Sequence, residues 1–159
     1  MTTREDFDAA EWDLIVAAPR WVVAAASAAQ RDVSYRTDLE IEMGMVASAR
    51  GQQDPNPFVA EVARETVRAF AARDVIEAVD FQDPQAGIDA VLERVRKVVA
   101  VLAAKADPND AYDYRKWLVR IADVVIRAAK SNDFIGLGGE IVTESERHFR
   151  DRLVLALQP

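Results

Sequence analysis

The segment RWVVAAASAAQR, Arg20 to Arg31, limits the fold more than any other. As a helix it is apolar on every side from Trp21 to Ala29, and a short helix without a polar face needs a central place among other helices. Its small residues let neighbours come close. Apolar residues recur at three- and four-residue steps along nearly the whole chain, which is helical spacing. The expectation is therefore all-α: a compact bundle of about six to eight helices around two buried ones, Trp21–Ala29 and Trp117–Ala129, with mostly antiparallel sequential neighbours. At 159 residues it is read as one domain, residues 1–159.

Local signals divide the chain. Asp6 or Asp8 caps a first helix whose apolar face carries Trp12, Ile15 and Val16, and Pro19 ends that helix or opens the next, because proline suits a first helical turn. Residues 32–36 read as a loop. Thr37 and Glu40 match a capping box for a helix to about Arg50, with Gly51 as a left-handed C-cap. Gly44 within it costs about 1 kcal/mol relative to alanine, tolerable where another backbone packs. GQQDPNP is a loop, and Val59, Val62, Ala63, Thr66, Val67 and Phe70 place a helix over Pro57–Arg73, with a short continuation over Asp74–Phe81. Asp83 and Pro84 cap and start a helix with a stripe from Ile88 to Leu102. Asp107 or Asp110 caps the helix through Trp117, Ile121, Val124, Val125 and Ala128. Thr143 and Glu146 form a second capping box, before a helix that buries Phe149, Leu153 and Leu157. Short extended pieces are allowed only at Phe134–Leu137 or Glu140–Val142.

An echo runs through this order. Ala28-Ala29 ends a buried helix and Thr37–Glu40 caps the next; Ala128-Ala129 ends another and Thr143–Glu146 caps its successor. The chain is read with this internal pseudo-repeat as an alternative to coincidence between helical hairpins.

Composition removes whole classes of chemistry. There is no cysteine, so disulfides, thiolate nucleophiles and cysteine-ligated zinc or iron–sulfur centres are excluded. A net charge of -7 argues against nucleic-acid binding, which needs a dense basic surface. The acidic start MTTREDFDAAEWD has no apolar signal-peptide core. The longest apolar run, Trp21–Ala29, is far short of the roughly 20 residues of a membrane span. A soluble cytoplasmic protein is expected, and the richness in Ala, Val, Arg and Asp points to a GC-rich bacterial genome.

Chemistry concentrates in SNDFIGLGGEIVTESERHF, Ser131–Phe149. A phosphate cradle needs a lysine after its glycines, but Gly136, Gly138 and Gly139 are followed by Glu140, and no strand precedes them. A calcium EF-hand loop fails in both glycine registers, since Ile135 with Val142, or Ile135 with Leu137, fall on ligand positions. A looser oxygen site from Asp133, Glu140 and Glu144 is an alternative. The structural reading has the glycines supplying positive φ while Phe134, Ile135, Leu137 and Ile141 fold onto the core.

His148 is the only histidine, which excludes the usual di-iron bundle and the two-histidine zinc protease. No Gly-x-Ser-x-Gly elbow exists. His148 is read as a surface or interfacial residue, four positions after Glu144 at pairing distance along a helix. Trp12, Trp21 and Trp117 are read as core. Tyr112, Tyr114, Asp110 and Asp113 are read as capping plus packing. The stripe Lys116, Arg120, Asp123, Arg127 and Lys130 is a solvated face or, alternatively, a partner surface. No catalytic, cofactor or metal residue is assigned.

AAPRWVVAAASAA before a capping box, and WLVRIADVVIRAAKS followed by GLGGEIVTESERHF, together resemble the TerB-like all-helical family named for tellurite resistance. The resemblance covers about half the chain. In that family an Ala-Asp-Gly turn and a capping-box glutamate lie between helices and are linked to metal binding. Here the turns read Gln30-Arg31-Asp32 and Lys130-Ser131-Asn132, and only Glu40 and Glu146 match the glutamate. The resemblance implies a non-enzymatic protein of bacterial stress response, acting through protein partners. A divalent-metal or small-ligand binder using acidic loops at Asp32–Glu42 and Asp133–Glu146 is the alternative, followed by an enzyme with an unfamiliar helical active site.

Overall fold

The structure, a computed structural model, describes residues 1–29, 34–72, 81–128 and 144–159, excluding the side chains of residues 34–40 and Glu146. The described residues form six α-helices and no strand: α1 Ala9–Ala28, α2 Ser34–Arg50, α3 Pro57–Ala72, α4 Pro84–Lys105, α5 Pro108–Ala128 and α6 Glu144–Ala156. Short 3₁₀ turns at Arg4–Asp6 and Gly51–Gln53 precede α1 and follow α2. The all-α expectation holds.

Helices α1 and α5 form the centre. Each packs against the other, α2 lies along both, α4 lines the opposite flank of α1, and α6 rests on α4 and α5. Val22, Ala25 and Ala26 on α1 are fully buried, which is why this stretch of α1 needs no polar side; α5 buries Leu118, Ala122 and Val125 and turns Lys116 and Arg120 outward. The α4 stripe from Ile88 to Leu102 is buried throughout and joins the same contiguous apolar core. The echo of helix and capping box does not recur in the packing: α2 lies along α5, whereas α6 makes only slight contact with α1.

Pro19 neither ends nor starts a helix; it lies inside α1, which runs unbroken from an Asp8–Glu11 capping box. A proline inside a helix removes the donor that would reach the carbonyl four residues back, here that of Ile15. The fold supplies a substitute. The Tyr114 hydroxyl on α5 donates to the Ile15 carbonyl at 2.7 Å, and the Thr66 hydroxyl on α3 donates to the adjacent Val16 carbonyl at 3.0 Å. Tyr114 and Thr66 are both fully buried. A local defect in α1 thus becomes the attachment point for two other helices.

Three further readings change. Helix α2 begins at Ser34, so Thr37 lies within it and cannot be its N-cap. Gly51 is not a left-handed cap, because the chain continues from α2 into a 3₁₀ turn. Its lack of a side chain serves contact instead: a Cβ there would lie 2.6 Å from Trp117 Nε1. Gly44 makes room for side chains rather than another backbone, since its Cβ would meet Val23 at 2.6 Å and Val125 at 2.9 Å. The α5 cap is Asp107, which accepts from the Asn109 amide, while Asp110 turns inward. The expected continuation at residues 74–80, the glycine loop Gly136–Gly139, the extended pieces at 134–137 and 140–142, and Thr143 lie outside the described residues.

Candidate functional site

One end of the bundle is tied by a polar network. The Asp110 carboxylate accepts from the Thr2 amide at 2.6 Å and from Asn56 Nδ2 at 2.9 Å, and Asn56 also donates to Asp113 at 3.0 Å. Asn56 Oδ1 accepts from the Phe58 amide and so caps α3. The Thr2 hydroxyl in turn accepts from the Asp107 amide. Burial pushes the Asp110 carboxyl up, but the bonds from Thr2 and Asn56 outweigh it and hold the group below its ordinary value. Beneath this network Phe7, Trp12, Phe58, Tyr114 and Trp117 form a chain of ring contacts with neighbouring centroids 5.8 to 6.3 Å apart. These carboxylates have assigned structural partners, in line with reading this helix start as capping plus packing.

The outer face of α2 is different. Gly44, Ala47 and Ser48 turn inward, leaving two rows at four-residue spacing on the outside: Ile41, Met45 and Ala49, and Glu42, Val46 and Arg50. Ile41, Met45 and Val46 are 38%, 38% and 41% exposed. Apolar residues thus fill the centre of a solvent-facing surface, with a glutamate at one end of the second row and an arginine at the other. Next to Arg50 the groove between α2 and α5 holds a cleft of about 230 Å³, floored by Trp117, Ile121 and Val124. Arg120 stands at its edge, held by Asp54 at 3.0 Å. The Trp117 indole N–H has no partner among the described residues and lies under Gly51.

The α5 charge stripe is not simply solvated. Arg120 pairs with Asp54, and Asp123 accepts from Arg150 at 2.7 Å. The Asp123 carboxylate holds the Arg150 guanidinium above its usual value. Lys116 lies over the Tyr112 ring at 5.2 Å.

At the opposite end, between the end of α1, the start of α4 and α6, is a cavity of about 300 Å³. Its rim carries Gln85, Ser145, His148 and Arg152, over Ile88 and Phe149. His148 is exposed, and neither a bond to Glu144 nor any other hydrogen bond or ion pair of His148 is formed among the described residues. Arg152 and Gln85 both donate to Asp89 Oδ1. The Arg152 bond holds the Asp89 carboxyl below its usual range.

Among the described residues no three histidine or carboxylate groups are placed to hold a metal ion. Of the acidic positions singled out in the sequence, Asp32, Asp133 and Glu140 lie outside the described residues, as do the side chains of Glu40 and Glu146. Glu42 and Glu144 are exposed on different helices. No helix among the described residues is long and apolar enough to cross a membrane. No protein-family model, curated protein or solved structure gives a significant match to the chain.

The α2 face does not stand out from helical spacing alone, which does not show which side of the helix is covered. A signal was there: EIEMGMVASAR has more apolar residues than one buried helix face can use.

Proposed function

We propose that the protein is a non-enzymatic interaction module of TerB-like character in bacterial stress response, and that it engages a partner protein through the outer face of α2 and the adjoining α2–α5 groove. The observation that carries this reading is the cluster of Ile41, Met45 and Val46 on one solvent-facing surface. Scattered exposed hydrophobics are ordinary, but a contiguous group framed by charges is the usual composition of a protein contact.

The test is a photo-crosslinking residue at Met45, compared with the same residue at Arg96 on the exposed side of α4. The expected result is an adduct of defined mass at position 45 alone, suppressed by excess unlabelled protein but not by excess Val46→Glu protein. Equal adducts at both positions, or equal competition by Val46→Glu, would remove the α2 face from consideration.

A further inference from the structure

The cavity at the α4–α6 end has a division of labour among its polar groups. Two carboxylates at the start of α4, Asp83 and Asp89, are occupied elsewhere. Asp83 caps α4 by accepting from the Gln85 and Ala86 amides at 3.0 and 3.2 Å. Asp89 takes Gln85 and Arg152 on a single oxygen. Neither lines the cavity among the described residues. The groups that do line it are donors with capacity to spare. Arg152 uses one terminal nitrogen on Asp89, leaving other N–H groups of its fork. Ser145 and His148 have no hydrogen bond among the described residues. Ser145, His148 and Arg152 recur at three- and four-residue steps on α6, so one helix face presents all three. Below them, Ile88, Phe149 and the end of α1 give an apolar floor.

We propose that this cavity binds a small carboxylate with a compact apolar body, its head taken by Arg152 with Ser145 and His148, its body lying on Ile88 and Phe149. A volume near 300 Å³ is at the lower edge of small-molecule sites and suits a ligand of roughly ten heavy atoms. The floor distinguishes this ligand from inorganic phosphate, which has no apolar part to bury. The site is independent of the α2 face.

His148 provides the readout, because the chain's single histidine gives one imidazole Hε1 resonance. Benzoate, benzamide and inorganic phosphate are titrated separately at constant pH into the full chain. Benzoate is expected to move this resonance saturably, with half-saturation at or below about 1 mM, in keeping with the binding energy per atom of good small ligands. Arg152→Gln is expected to weaken benzoate at least about tenfold. Ser145→Leu, which fills the cavity from an exposed position and spares the Arg152–Asp89 pair, is expected to abolish the shift while leaving the thermal midpoint in place. The proposal is overturned by a shift that stays linear to about 20 mM, well beyond the affinity a fitting fragment would have. It is equally overturned by benzamide or phosphate binding as tightly as benzoate, or by Ser145→Leu protein that folds and still binds.

Discussion

The two ends of the bundle handle polar groups in opposite ways. Where α1, α3 and α5 begin, Thr2, Asn56, Asp107 and Asp110 interlock over a chain of stacked and tilted rings. Where α4 and α6 begin, Gln85 and Arg152 share one carboxylate oxygen, and Ser145 and His148 stand at a cavity with no bond among the described residues. A buried donor or acceptor left alone costs far more than a satisfied one contributes. The first end therefore resists change and reads as architecture, while the second tolerates change and can take a ligand.

The largest test of this contrast is Phe58→Ala. Phe58 is fully buried and touches the rings of Phe7, Trp12 and Tyr114. Its truncation is expected to cost about 3–5 kcal/mol in urea unfolding. A loss under about 1 kcal/mol, typical of a surface site, would mean the aromatic chain is not what holds this end.

Next comes the Pro19 attachment. Tyr114→Phe leaves the Ile15 carbonyl without its donor and is expected to cost about 1–3 kcal/mol, while Thr66→Val, at a carbonyl that α1 itself also serves, is expected to cost less, about 0.5–1.5 kcal/mol. The sharper version is a double-mutant cycle. In a Pro19→Ala background the restored amide can serve Ile15, so the Tyr114→Phe penalty should shrink by about 0.5–1.5 kcal/mol. Strict additivity would show that the hydroxyl is not replacing a missing helix bond.

Asp110 brings pH into the comparison. Its folded-state pKa lies below the ordinary value of 3.8, so its contribution is fully present above that pH and is lost as pH falls through the folded value. Asp110→Asn is expected to cost about 1–2 kcal/mol at pH 7, and the gap to wild type should close in acid. A gap that is the same at pH 7 and at about pH 2 would assign the loss to shape rather than charge.

The smallest effect belongs to the open end. Gln85→Ala and Ser145→Ala are each expected to change stability by no more than about 0.5 kcal/mol by thermal unfolding, as surface substitutions usually do. A loss above about 1.5 kcal/mol from either, far outside that surface range, would mean that the cavity rim is part of the scaffold.

Much of this architecture was legible in the chain. The apolar stripe from Ile88 to Leu102, the Asp83-Pro84 start and the burial of Trp12, Trp21 and Trp117 follow from periodicity and capping chemistry, which are local. Pro19 was not legible, because the rule that proline ends a helix holds only until another segment supplies a donor. Here the donors come from positions 50 and 99 residues away in sequence. Gly51 was misread for the same reason: the neighbour that requires glycine is Trp117, on another helix. The α2 face and the α6 cavity were hidden differently. Each depends on which side of a helix is covered, and only the arrangement of all six helices decides that.

The tethering of Ile15 and Val16 also has a kinematic consequence. Bundles commonly transmit a signal by sliding one helix along another by a fraction of a turn. A hydrogen bond stretched by such a step is lost, so α1, α3 and α5 can shift only by breaking buried bonds. They form a fixed tripod. Helices α2 and α6 carry no such buried cross-link among the described residues, and these two present the surfaces proposed to meet a partner and a ligand. Any displacement produced at one surface would be confined to its own helix or would have to travel through a frame that does not slide.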